Sequence, residues 1–260
     1  MDKRLLVGIV CIGVFAAAPS RLTRVAAADN AQQIVEEAQK RTTTPSERYE
    51  GLLQSFNSGG KTSERRWIFT RMGSHGQSKT VIKFTSPSEV KGVALLVMNH
   101  PDKPSDQWMW TPAIERDRRI ALQDRSTRFF GTDFSFEDLE ERDAAQYEHK
   151  LLGEEAVAGA KTWKIQAVPR PTRSSQYTKN ILWIRTDNYA TVRIDSYDGD
   201  QVVRRLDHGK LQNVQGIWTA RELKMADLRR GTVTWLDIEK IEYNVPVSDN
   251  DFTVQALRRQ

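Results

Sequence analysis

From Pro45 onward the chain alternates. Trp67 and Phe69 share one parity, and Thr80, Ile82 and Phe84 alternate with Lys83. Trp163, Ile165 and Ala167 alternate with Lys164 and Gln166. A period of two is the signature of a strand with one buried face. Read this way, the candidate strands are 49–56, 65–72, 80–84, 92–99, 107–111, 114–122, 147–152, 162–168, 180–185, 191–197, 202–211, 217–227 and 232–245. Turn signals separate many of them, among them Ser58-Gly59-Gly60, Asp187-Asn188, Asp198-Gly199-Asp200 and Arg229-Arg230-Gly231. Strands in this number at hairpin spacing predict one antiparallel meander, strongly curved or barrel-like, rather than βαβ units.

Two segments break the simple alternation. In 92–99 both parities are apolar (Val93, Leu95, Val97 against Ala94, Leu96, Met98), which predicts a strand covered on both faces. In 232–245 the apolar parity switches from Val233 and Trp235 to Leu236 and Ile238, then back to Ile241 and Tyr243. A bulge, or a strand apolar on both faces, would produce that switch.

Helical spacing is scarce. Ala31, Ile34, Val35 and Ala38 follow the candidate cap Asp29-Asn30 at i, i+3, i+4, i+7, with Glu36 and Lys40 one turn apart. They predict an amphipathic helix over 31–40. Ser135 stands three residues before Asp138, so 136–144 is expected to begin as a second helix.

The first 28 residues form a unit of a different kind. Lys3 and Arg4 precede an uncharged, mostly apolar run over 5–18, and Ala26-Ala27-Ala28 precedes Asp29. This is the pattern of a secretory signal peptide cleaved near Ala28. It leaves 29–260 as a single domain. The only cysteine, Cys11, lies inside the apolar run, so the mature chain has no thiol chemistry. The leader carries four basic residues and one acid, which leaves a net +2 of the total +5. A charge that small gives no basis for nucleic-acid binding.

The aromatic residues change the picture most. All seven tryptophans fall in candidate strands. On a curved sheet they either fill the concave side or line an apolar hollow. More strands than the eight or so that enclose a packed interior favour a hollow. The stretch 108–139 concentrates the candidates for its wall and lid. Trp108 and Trp110 come first and Phe129, Phe130, Phe134 and Phe136 last, with Trp67 and Phe69 expected to join them. The phenylalanine-rich loop is either a mobile lid or a segment stapled down by its rings. Between the aromatic ends, Arg116, Arg118 and Arg119 alternate with Glu115 and Asp117. They form either a solvated, salt-bridged face or a polar rim that meets lipid headgroups or a partner.

Catalytic patterns are absent. His75, His100, His149 and His208 are far apart and at no metal-ligand spacing. Gly73-Ser74-His75-Gly76 sits in a hairpin turn rather than on a strand-to-helix elbow. Glu140-Glu141 and Glu154-Glu155 fall in polar stretches and are expected to be solvated. The expectation is a binding protein, not an enzyme, with neither metal nor cofactor.

Several motifs resemble a known family. Lys91-Gly92 precedes an apolar strand, and Trp108-Met-Trp-Thr-Pro-Ala113 and Arg118-Arg119-Ile120 follow. Phe130-Gly-Thr-Asp-Phe-Ser-Phe-Glu-Asp-Leu139 and Asp251-Phe252-Thr253 complete the order. Over about 31–257 the chain resembles the bacterial outer membrane lipoprotein-sorting proteins of the LolA/LolB-like superfamily. The resemblance implies a mainly β periplasmic protein with few helices. Its large antiparallel sheet would curl into an unclosed half-barrel, with helices over an apolar hollow. It also implies a lipid or lipoprotein acyl chain as cargo, with transient membrane contact. The alternative it offers is an accessory subunit of an inner-membrane exporter of the resistance-nodulation-division type. No cargo-contacting residue is carried over from the family.

Overall fold

The computed structural model describes the backbone from Leu22 to Arg259 and the side chains from Asn30 onward. The basic and apolar parts of the expected leader lie outside the described residues. Helix α1 spans Leu22–Lys40, nine residues more than the periodicity predicted, so Asp29-Asn30 does not cap it. Alanine-rich sequence ahead of Asp29 has the propensity to continue the helix. The stripe itself is as expected: Ala31, Ile34, Val35 and Ala38 are all buried.

Thirteen strands follow: β1 (Ser46–Asn57), β2 (Gly60–Met72), β3 (Lys79–Ser86), β4 (Ala94–Met98), β5 (Asp106–Thr111), β6 (Arg116–Arg119), β7 (Tyr147–Val157), β8 (Ala160–Pro169), β9 (Lys179–Arg185), β10 (Thr191–Asp198), β11 (Gln201–Val214), β12 (Ile217–Asp227) and β13 (Thr232–Tyr243). A four-residue helix, α2 (Val254–Leu257), comes near the end. All strands belong to one antiparallel sheet in the order β6-β5-β4-β3-β2-β1-β13-β12-β11-β10-β9-β8-β7. The sheet does not close. It is two meanders fused where β1 pairs with β13. The edges are therefore β6 and β7, which are neighbours in sequence but lie at opposite ends of the sheet. The segment joining them, 120–146, must cross one face, and it becomes the strap over the concave side.

The strap corrects two expectations. Only Arg116–Arg119 of the predicted strand 114–122 is extended, because single 3-10 turns occupy Pro112–Ile114 and Leu122–Asp124. Pro112 starts the first turn, and the left-handed Glu115 (φ 47°) ends it. The helix expected over 136–144 is one 3-10 turn, Glu137–Leu139. Its start signal is present, since Ser135 donates to Asp138 Oδ2 from both N (2.8 Å) and Oγ (2.7 Å). The acids that follow are drawn to separate partners across the sheet, and a continuous helix would not let them reach.

Of the two causes that would produce the parity switch in β13, a bulge is present and accounts for the return to Ile241 and Tyr243. Glu50 faces Lys240 and Gly51 faces Ile238, which leaves Glu239 as the extra residue of a bulge. Gly51 permits the close approach, because a Cβ there would lie 1.9 Å from the Asp237 carbonyl oxygen. Before the bulge, Leu236 and Ile238 look into the concave side. After it, Tyr243 returns to the same side, where its hydroxyl lies 3.3 Å from that of Tyr49.

Both faces of the sheet are covered in places. On the concave side, α1 packs over the β7–β10 end, where Ile165, Leu182 and Ile184 meet its stripe. The strap packs over the β1–β5 end through Phe129 and Phe136, against Phe84, Leu95 and Val97. On the convex side, Ala94 and Leu96 pack with Phe252 and Leu257 from the C-terminal segment. β4 is thus buried on both faces, as its sequence predicted.

Candidate functional site

The strap and the sheet leave a cavity of about 300 Å³ between them. One wall comes from β1–β3: Tyr49, Leu53, Trp67, Phe69, Ile82 and Phe84. The facing wall is Leu206 of β11, Leu223 of β12, and Leu236 and Ile238 of β13. Phe129, Thr132, Phe134 and Leu139 of the strap form the roof. The rings pack in pairs: Tyr49 stacks on Phe69 and Phe84 on Phe129, each with centroids 5.3 Å apart. Strand pleating explains the wall, because every second residue of six neighbouring strands points to the same side. One end is charged, where Arg71, Asp138, Glu140 and Glu141 border the cavity.

Those charges fasten the strap. Asp133 is fully buried and accepts from Thr232 Oγ1 (2.5 Å), Thr234 Oγ1 (2.7 Å) and Arg128 (2.6 Å). Asp138 accepts from Tyr177 (2.8 Å) and pairs with Arg204 of β11. Glu140 pairs with Arg125 (2.9 Å) and Arg173 (3.4 Å) and accepts from Gln107 (2.8 Å). Glu141 pairs with Arg71 and accepts from the His75 amide (2.8 Å). Burial pushes the Glu140 carboxyl above its usual range, while Arg125 and Arg173 hold it down. The expectation that Glu140-Glu141 is solvated is corrected, because both carboxylates are tied to arginines. Phe134 is likewise buried (6% exposed) under a strap pinned on both sides of it. Of the two readings of this loop, the arrangement matches the stapled one, with ion pairs as well as rings holding it.

The predicted site residues separate into three places. Trp67, Phe69, Phe129 and Phe134 line the cavity. Phe130 and Phe136 do not, and instead pack edge-on against Phe129, at 5.5 and 5.8 Å between centroids. Trp108 and Trp110 lie on the opposite face, opposite Leu96 and Ala94 in register and beneath the C-terminal segment. Their assignment to the cavity wall is corrected. The signal was available, since residues directly paired across strands share a face and Leu95 pairs with Met109. Parity relative to 92–99 was ambiguous only because that strand is apolar on both sides.

The arginines of β6 also stand apart from the cavity. Arg119 pairs with Asp106 and sits 6.0 Å from the Trp108 ring centroid, on the convex side. Arg118 lies 3.9 Å from Asp124, and Arg116 is exposed at the sheet edge. None of the three lines the hollow, so they do not form its rim. They match the solvated-face reading more closely.

Sequence reasoning missed the far wall (Leu206, Leu223, Leu236, Ile238) and the charged end. It also missed Arg65. Arg65 pairs in register with Leu53 and lies two residues from Trp67, so it shares the concave face with both. Its guanidinium carbon lies 5.5 Å from the centroid of the Phe84 ring. Two histidines face inward as well. Burial lowers His149 to about 4 and His208 to about 4, so both are neutral at pH 7. His149 Nδ1 lies 2.7 Å from Oε1 of Gln32 on α1.

Every carboxylate bordering the cavity is engaged by an arginine, so none stands as a free general base. Among the described residues no group of three His, Cys, Asp or Glu is arranged to hold a metal ion. What remains is an apolar chamber under a fastened strap. An open antiparallel sheet curled round such a chamber is the LolA-like half-barrel. A family model described as "uncharacterized protein" matches residues 76–259, and the chain belongs to that family. No curated protein matches the chain.

Solved structures share the fold along nearly the whole described chain. An outer membrane lipoprotein-sorting protein domain from Vibrio parahaemolyticus superposes with a TM-score of 0.84 at 24% identity, covering 89% of this chain and 100% of that one. A DUF1329 family protein from Desulfovibrio piger gives 0.84 at 25% identity, covering 89% and 99%. A LolA superfamily protein from Nitrosomonas europaea gives 0.69 at 20% identity, covering 87% and 98%.

Proposed function

We propose that this protein is a periplasmic carrier that buries an acyl chain, of a lipid or a lipoprotein, beneath the strap and performs no chemistry on it. The observation that carries this reading is the cavity of about 300 Å³ with walls of leucine, isoleucine and aromatic rings. Its volume falls at the lower end of the roughly 300–1,000 Å³ typical of small-molecule sites, which suits one chain better than several. Each buried CH₂ contributes about 0.8 kcal/mol, so ten of them supply about 8 kcal/mol before ordering costs. The leader pattern over 1–28 supports export with cleavage near Ala28. Delivery would then require a membrane or partner that accepts the chain.

The test is organic extraction of the purified protein followed by mass spectrometry, together with titration by a fluorescent fatty acid. Co-purified lipid or saturable uptake is the expected result. If extraction yields no lipid and the probe does not bind, the protein is not a carrier.

A further inference from the structure

The arginines buried under the strap all have carboxylate partners, and Arg65, partly buried on the same side of the sheet, does not. Arg71, Arg125, Arg173 and Arg204 all lie on or under the strap, and each pairs with a carboxylate. Arg65 has no ion pair among the described residues, although its Nη1 is buried and finds no hydrogen-bond acceptor among the protein groups. Burial alone shifts its acidity, lowering the guanidinium pKa with no neighbouring acid to oppose it. Its one favourable contact is the face of Phe84. A cation–π contact of this kind is worth about 0.5–2 kcal/mol, whereas leaving a buried charged donor unmet costs about 1–3 kcal/mol or more. The contacts within the fold leave that Nη1 nitrogen unmet.

Position supplies the reason. Arg65 does not itself line the cavity but adjoins three residues of its wall: Leu53 is opposite it, Trp67 is next along the same face, and the Phe84 ring lies beneath its guanidinium. All three of those residues line the apolar chamber. A chain lying against Leu53, Trp67 and Phe84 would bring its polar end to the guanidinium. The planar fork of arginine suits two oxygens of a carboxylate or phosphate. An acylated lipoprotein cysteine presents only neutral ester, amide and thioether groups at that point, which can accept a hydrogen bond from the arginine but bring no counter-charge to it.

We propose that Arg65 is the head-group anchor of the cavity, and that the cargo is an acyl-chain amphiphile ending in an anionic oxyacid, a carboxylate or a phosphate. This rests on the carrier reading and narrows its ligand class.

The experiment uses three ligands with the same tail: dodecanoate, dodecyl phosphate and the neutral methyl dodecanoate. Each is titrated calorimetrically into the purified protein at pH 8. The expected result is that at least one anionic ligand binds about tenfold or more tightly than the ester. The preferred anion tells a fatty-acid head from a phosphate head. Arg65→Met is expected to abolish the preference while leaving the affinity for the ester unchanged, which also shows that the variant is folded. Arg65→Lys keeps the charge but loses the fork, and is expected to retain only part of the preference. Equal affinity for all three ligands in the unmodified protein would overturn head-group recognition and leave the carrier reading standing. A preference that survives in Arg65→Met would remove Arg65 from the site. If none of the three binds, the carrier reading itself falls.

Discussion

Glu140 shows what a single side chain carries in this protein. Its side chain is 1% exposed, and two arginines that are 7% and 8% exposed converge on it. Glu140→Gln would leave both cations buried without a counter-charge, at a cost of about 3–5 kcal/mol. The check is the urea midpoint of unfolding, with an unchanged slope showing that the variant still unfolds as one unit. His149 makes a second, pH-dependent case. Its folded pKa of about 4 lies below the 6.5 of the free side chain, so the unfolded chain binds the proton more readily. The stabilisation is complete above about pH 6.5 and is lost as pH falls toward 4. His149→Gln keeps a polar partner for Gln32 but cannot titrate. It should lose about 2 kcal/mol less than the unmodified protein between pH 7 and 4.5. Equal losses in the two proteins would show that His149 is not the group responsible. Neither role was legible in the sequence. Glu140-Glu141 reads as a solvated pair because burial of an acid depends on cations at 125, 173 and 71, which are distant in the chain.

At the scale of elements, the strap and the β1–β13 seam decide the architecture. The strap's most distinctive stretch, Thr132 to Glu141, places an acid at 133, 137, 138, 140 and 141. The anchors described above reach β13, β11, β5 and β2 in turn. The stretch resembled a family motif in the sequence, but its physical meaning appears only once the strands it spans are known. The seam is different, because parity marked an irregularity in β13, although only the register with β1 shows that it is a bulge. Gly51 is the residue that allows it. Gly51→Ala would drive a Cβ to 1.9 Å from the Asp237 carbonyl oxygen. Backbone on both strands must then move, and a loss of about 3 kcal/mol is expected in thermal or urea unfolding. A neutral substitution there would mean that the two strands sit further apart than described.

At the scale of the whole molecule, the cavity lies on the concave face of the sheet and the C-terminal segment covers part of the convex face. Leu223 projects into the cavity and is only half buried. Leu223→Trp should fill the space, weaken uptake of a fluorescent fatty acid about tenfold or more, and change stability by less than about 1.5 kcal/mol. Phe252 seals the convex side and is 3% exposed. Phe252→Ala should cost about 3–5 kcal/mol while the folded protein keeps its uptake. Loss of uptake in Phe252→Ala at temperatures where it remains folded would show that the two faces are coupled. The same division explains why only half of the expected cavity residues line the chamber. Trp67 and Phe69 lie in a strand whose neighbours settle the face. Trp108 and Trp110 lie beside β4, whose two apolar faces conceal which side is which.

Local sequence by itself determined most of the strands, the turns between them, the apolar stripe of α1 and the single antiparallel class. Each depends on side-chain period or turn chemistry over a few residues, and these are local properties. Tertiary structure decided which face is concave, that 120–146 crosses it, and which aromatics line the chamber. It also decided which acids are buried. These depend on the pairing of β1 with β13, nearly two hundred residues apart. That pairing makes β6 and β7 the two edges and draws the connection between them across the hollow. It is also what leaves Arg65 beside an apolar cavity with no acid to meet it.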